Sequence, residues 1–118
     1  MVDSCEAPHI PSIMDWFTVS IADDVVTLDV APPGLEAWRA SFRFDDIVRV
    51  CFETEGLFGS DRLYVFVRDR AESYVVPTEA IGGSAFLGAL IDRQRFDAEL
   101  AIEAATAGEG TLLCWPPV

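Results

Sequence analysis

The sequence predicts an α+β fold, an antiparallel meander of about six short strands rolled into a partly open β-barrel and closed by a C-terminal amphipathic helix. Two observations carry this. From Phe42 to Pro77, three apolar segments alternate with a period of two and are divided by two polar turns, as consecutive antiparallel strands do. After Gly82-Gly83-Ser84 the period changes, and Phe86, Leu87, Leu90 and Ile91 recur at the spacing of one helix face.

In chain order, residues 1–14 hold Pro8, Pro11 and His9 without a sustained period and read as an irregular N-terminal arm. Antiparallel strands are expected over 15–77. Phe17, Val19 and Ile21 alternate with Trp16, Thr18 and Ser20, Asp23-Asp24 turns the chain, and Val26, Leu28 and Val30 resume, which makes a first hairpin. Ala31-Pro32-Pro33-Gly34 stops it, because proline cannot donate to a ladder. Trp38, Ala40, Phe42 and Phe44 form the next apolar face before Asp45-Asp46 turns the chain again. In Ile47 to Glu53, Val48, Val50 and Phe52 share one face, and Ile47, Arg49, Cys51 and Glu53 share the other. Beyond the loop from Thr54 to Ser60, Leu63, Val65 and Val67 alternate with Tyr64, Phe66 and Arg68, so this strand is apolar on nearly both sides. Asp69 to Glu72 leads to Ser73-Tyr74-Val75-Val76, which Pro77 ends.

A helical segment follows over 84–105, with Ser84 expected to cap its first part and Asp97 a second piece running to Ala105. Thr111 to Trp115, closed by Pro116-Pro117, is too apolar to float free, so 111–118 should pack on the body as a strand or extended tail. No linker or repeat divides the chain, and 1–118 reads as a single domain. Val48, Val50, Phe52, Leu63, Val65, Phe66, Tyr74, Phe86 and Leu90 are expected to share one core.

A chain of 118 residues that is 51% apolar can bury a core without staples. All eight basic residues are arginines spread along the chain, and the net charge of −12 repels phosphate backbones and anionic headgroups. Neither nucleic acid nor a membrane is therefore expected as a partner, and a basic protein is the natural complement. Lysine and asparagine are both absent, an avoidance that resembles GC-rich coding, while the acid excess equally fits a halophile. Cys5, Cys51 and Cys114 form an odd set without a C-x-x-C pair, and no signal-like apolar run is found near the start. The expectation is a cytoplasmic protein with reduced thiols, in which Cys51 and Cys114 act as small buried hydrophobes. No segment approaches the ~20 apolar residues of a membrane helix.

The run Phe44-Asp45-Asp46-Ile47-Val48-Arg49-Val50 entering a central strand, with strands first and a helix after, resembles bacterial domains of the pleckstrin-homology-like superfold over residues 15–97. That resemblance implies seven strands before the helix and a module that binds lipid, peptide or protein. The basic pocket of phosphoinositide-binding members would fall near Asp23-Asp24, which is acidic here, so that activity is not carried over.

No catalytic, cofactor or metal motif emerges. His9 lies in the irregular arm, far from the packed neighbours a catalytic base requires, and reads as a surface residue. Glu53, Glu55 and Asp61 do not match a calcium loop and read as a solvated turn. Gly82-Gly83-Ser84 lacks both phosphate-loop patterns and reads as a chain reversal, while Trp16, Trp38 and Trp115 read as core rather than a stacking set. The candidate partner-binding residues are Glu55, Leu57, Phe58 and Asp61, because two large apolar side chains sit at a hairpin tip with an acidic rim, a tip that either folds back over the barrel end or reaches into a partner. The leading expectation is a non-enzymatic protein-binding or self-associating module without a cofactor. Its rivals are an acidic immunity-type inhibitor of a basic toxin and a small-ligand carrier or small enzyme that uses the barrel mouth.

Overall fold

Strand pairing follows the alternation nearly throughout. The computed structural model describes residues 15–54, 61–108 and 110–117. Strands β1 (Phe17–Ala22), β2 (Val25–Val30) and β3 (Trp38–Arg43) form one antiparallel sheet in that order. β1 and β2 pair from Phe17↔Val30 to Ala22↔Val25, which leaves Asp23 and Asp24 as a two-residue turn with Asp23 at φ +56°. Aspartate tolerates that conformation because its short side chain bonds the local backbone.

The second sheet has the order β6-β5-β4-β7, built from β4 (Ile47–Glu53), β5 (Arg62–Val67), β6 (Tyr74–Pro77) and β7 (Leu112–Trp115). The expected apolar tail is thus a strand, seated antiparallel on the β4 edge. The strands fall into a three-stranded and a four-stranded antiparallel sheet, and no closed barrel joins them among the described residues. Among the described residues, six strands precede the helices and the seventh follows them.

The core lies between the sheets and is closed by α1 (Gly83–Asp92) and α2 (Ala98–Thr106). Phe86 of α1 meets Phe42 of β3 at 6.3 Å and Phe44, from the 3-10 turn Phe44–Asp46, at 6.1 Å. Phe42 also stacks on Tyr74 of β6 at 5.0 Å, so one aromatic cluster ties both sheets to the helix. Val50, Phe52, Leu63, Val65, Phe86 and Leu90 are buried as expected, and Tyr74 packs half-buried against them.

Val48 and Phe66 depart from the expected core. Ile47 pairs with Val67 but Arg49 pairs with Phe66, so Val48 is an extra residue in a β-bulge. One inserted residue exchanges the faces on either side of it. Ile47 is accordingly 3% exposed, whereas Val48 is 50% exposed. Phe66 stays half-buried on the outer face.

The joint before α1 also differs from expectation. Gly82, not Ser84, is the N-cap, with φ +83° and no side-chain cap, and Ser84 lies inside the helix. The reason is close approach. Ile81 bonds across to β1, donating to Phe17 O at 3.0 Å and accepting from Val19 N at 2.7 Å, and a Cβ on Gly82 would collide with the Val19 carbonyl. The glycine pair is the chain reversal that its residues suggested. At the second helix Asp97 caps as expected, its Oδ2 accepting from Leu100 N at 3.1 Å.

Cys51 and Cys114 are directly paired across β4 and β7 and form a disulfide, so the expectation of reduced thiols at these positions is corrected. Their separation of 63 residues hid the pairing, since only the return of β7 to the β4 edge brings them together. Thr54 guides that return. Although it is 4% exposed, its Oγ1 donates to Gly108 O at 2.5 Å and accepts from Thr111 N at 3.0 Å, and its backbone O accepts from Gly110 N at 2.6 Å. Among the described residues, no helix is long and apolar enough to cross a membrane.

Candidate functional site

Of the residues singled out at the β4–β5 loop, Glu55, Leu57 and Phe58 lie outside the described residues, as do His9 and Cys5. Asp61 immediately precedes β5, and its backbone O accepts from Thr78 N at 3.0 Å. What the structure adds beside that loop is the outer face of the four-stranded sheet. Strand register places Val75, Tyr64, Cys51 and Cys114 in one row across all four strands, and Pro77, Arg62, Glu53 and Leu112 in the next. The bulge turns Val48 out beside Arg49 and Phe66, extending the same face. The core lies against the opposite face, where Phe52 meets Phe96 of the turn between the helices at 6.5 Å and Phe86 and Leu90 of α1 and Ala104 of α2 join the same cluster.

The face therefore holds apolar groups that the fold leaves to solvent. Val48, Val75 and Leu112 are 50%, 39% and 55% exposed, around half-buried Tyr64 and Phe66. Cys51, Glu53, Tyr64, Phe66 and Leu112 line a shallow cavity of about 280 Å³ at its centre. Polar groups at this cavity are engaged with one another. Tyr64 Oη donates to Glu53 Oε1 at 2.7 Å, and Arg62 Nη2 lies 3.6 Å from the same oxygen.

That arrangement raises the Tyr64 phenol above its ordinary pKa. The hydrogen bond to Glu53 is the first cause, then burial, then the carboxylate's charge, while Arg62 works the other way. The fold thus favours the protonated phenol. The resulting stabilisation is present below the ordinary phenol value and is lost as pH rises through the raised one. Ultraviolet titration should find Tyr64 ionising at higher pH than free tyrosine, with Glu53→Gln reversing much of the shift. An unshifted Tyr64 would show that the Glu53 contact is not maintained in solution.

The arginines are not as dispersed as their sequence positions suggest. Arg43 and Arg95 approach Asp45 at 4.0 and 3.2 Å, Arg68 approaches Asp46 at 3.5 Å, and Arg93 approaches Asp24 at 3.5 Å. The aspartate pairs at the β1–β2 and β3–β4 turns so gather four of the eight arginines at one end of the molecule. These pairs are largely exposed, so each contributes little, about 0–1 kcal/mol, and their effect is to bring cationic side chains together. Arg93 also lies over the Phe44 ring at 4.2 Å.

The tryptophans do not form one set. Trp38 is 44% exposed at the sheet edge, against the core position expected of it, with its ring edge-on to Phe17 at 6.4 Å. β3 is an edge strand of its sheet, and its first three residues, Trp38 to Ala40, are exposed or half-buried. Trp16 lines a cavity with Trp38, while Trp115 stands on the other sheet beside Arg95 and Pro116. Among the described residues no cluster of three metal-ligating side chains is found. Comparison with protein-family models, with curated proteins and with solved structures finds no match to this chain.

Proposed function

We propose that the chain is a non-enzymatic protein-binding module that self-associates through the outer face of its four-stranded sheet. The observation that carries this reading is the exposed group of Val48, Val75 and Leu112 around Tyr64 and Phe66 on a face turned away from both helices. An antiparallel sheet with one solvated face ordinarily alternates to polar residues there. An apolar face left open marks a binding surface.

Charge favours a second copy at this face over other contacts. Its ionic groups are Arg49, Arg62 and Glu53, close to neutral, whereas the whole chain carries −12. Two copies meeting here avoid much of the repulsion that a net charge of −12 imposes on their approach. Four strands of four to seven residues make a face roughly 19 Å wide and about 13–23 Å long. That is below the roughly 800 Å² per partner of a standard stable interface, so the association should be reversible and micromolar or weaker.

The succession of two antiparallel sheets and a helix that closes their core supports the pleckstrin-homology-like relation, whose members bind other molecules without chemistry. The disulfide supports an oxidising compartment over the cytoplasm suggested by the sequence, because reducing cytosol keeps such pairs as thiols.

Sedimentation velocity tests the reading. The wild type is expected to shift reversibly from monomer to dimer as concentration rises through the micromolar range, and Leu112→Asp to remain monomeric with an unchanged melting temperature. A wild type that stays monomeric throughout, or a Leu112→Asp variant that dimerises equally well, would contradict it.

A further inference from the structure

Pairing of β7 with β4 spans only Val50 to Glu53, and Pro116 follows at once, so no β7 residue pairs with Ile47 to Arg49. The turn between α1 and α2 fills part of that space, with Gln94 held at φ +59°. Between them lies a cleft of about 180 Å³ whose lining includes Val48, Arg49, Gln94, Arg95, Trp115 and Pro116. Two of the eight arginines thus line one small cleft in a chain of net charge −12.

Their hydrogen-bonding capacity is not used up. Arg95 Nη2 is held by Asp45 Oδ1 at 3.2 Å, which fixes the side chain, yet its Nε is buried with no partner. Arg49 meets no ion-pair partner among the described residues. A guanidinium offers five donors in a planar fork that suits an oxyanion, and two guanidinium side chains with donor capacity to spare line this one cleft. The carboxylates nearby are already engaged, Asp45 with Arg95 and Arg43, and Asp97 with the N-terminus of α2.

We propose that this cleft binds one small oxyanion, the phosphate or carboxylate group of a small molecule, with Arg49 and Arg95 as its cationic arms and Trp115 as an apolar wall. Size agrees with that choice. The volume equals that of a few waters at about 30 Å³ each and falls below the roughly 300–1,000 Å³ of sites for drug-sized ligands. A single two-arginine site is compatible with the chain's repulsion of nucleic acid, because it meets one terminal anion and not a phosphate backbone. The proposal does not rest on self-association, although Val48 and Arg49 lie on both the cleft and the sheet face.

The test is an NMR titration of the labelled full chain with inorganic phosphate and, separately, with benzoate, at ionic strength held constant with chloride. Saturable shifts are expected at the Arg95 Nε–H and the Trp115 indole N–H. Arg49→Gln and Arg95→Gln should each weaken binding about tenfold or more, the loss of one charge-assisted contact. The melting temperature of Arg49→Gln should stay unchanged. Tighter phosphate binding identifies a phosphorylated ligand or free phosphate, and tighter benzoate binding a carboxylate on a planar body packed on Trp115. Shifts that never saturate, or equal affinity in wild type and Arg49→Gln, would overturn the site.

Discussion

Val65→Asp is expected to abolish cooperative folding. Val65 is fully buried in β5, an inner strand of the four-stranded sheet, opposite Val50 on one side and Tyr74 on the other. A carboxylate there has no cationic partner at hand, since Arg62 and Arg49 belong to the outer face. Burying such a charge costs several kcal/mol even after relaxation, and lost packing adds to it. Total stability of a domain is about 5–15 kcal/mol, so most or all of it is consumed. Circular dichroism and thermal melting decide the matter. A soluble Val65→Asp variant with a cooperative melt near that of the wild type would mean that this residue does not sit in the core.

Removing the disulfide should be the next largest effect. Cys51–Cys114 closes a loop of 63 residues, and the chain-entropy relation for that length gives about 4 kcal/mol of restraint on the unfolded state. The bond also staples β7, a four-residue edge strand whose residues are half-buried or exposed and which pairs only with β4. Cys51→Ala with Cys114→Ala should lower the melting temperature by on the order of 15 °C. Excess dithiol reductant should do the same to the wild type and nothing further to the variant. Equal melting of reduced and oxidised wild type would show that the two sulfurs are not bonded in solution.

Much of the fold was legible because period-two alternation is a local signal. The hairpin at Asp23-Asp24, the central strands, the apolar stripe of α1 and the Asp97 cap all rest on residues a few positions apart. What stayed hidden depends on residues far apart in sequence. The bulge at Val48 leaves no mark in the alternation, since Ile47 and Val48 are equally apolar, and only pairing with β5 decides which faces inward. The disulfide, the gathering of arginines around Asp45 and the Arg49–Arg95 cleft each appear only when β7 and the α1–α2 turn return to β4. The outer face did have a signal. Tyr64 and Phe66 made β5 apolar on both sides, more than a half-solvated sheet requires, and Leu112 and Val75 joined them once strand order was known. The loop at Leu57 and Phe58 drew attention first because a hairpin tip stands out in sequence, whereas a sheet face is scattered over four strands.

Self-association through that face is tested most directly by methyl NMR of the wild-type chain across concentration. The methyl resonances of Val48, Val75 and Leu112 are expected to shift together and saturably as the protein is concentrated, while those of Val26 and Leu28, fully buried in the other sheet, stay still. Concentration-dependent methyl shifts centred on exposed Leu35, or none on the outer face at any concentration, would contradict it.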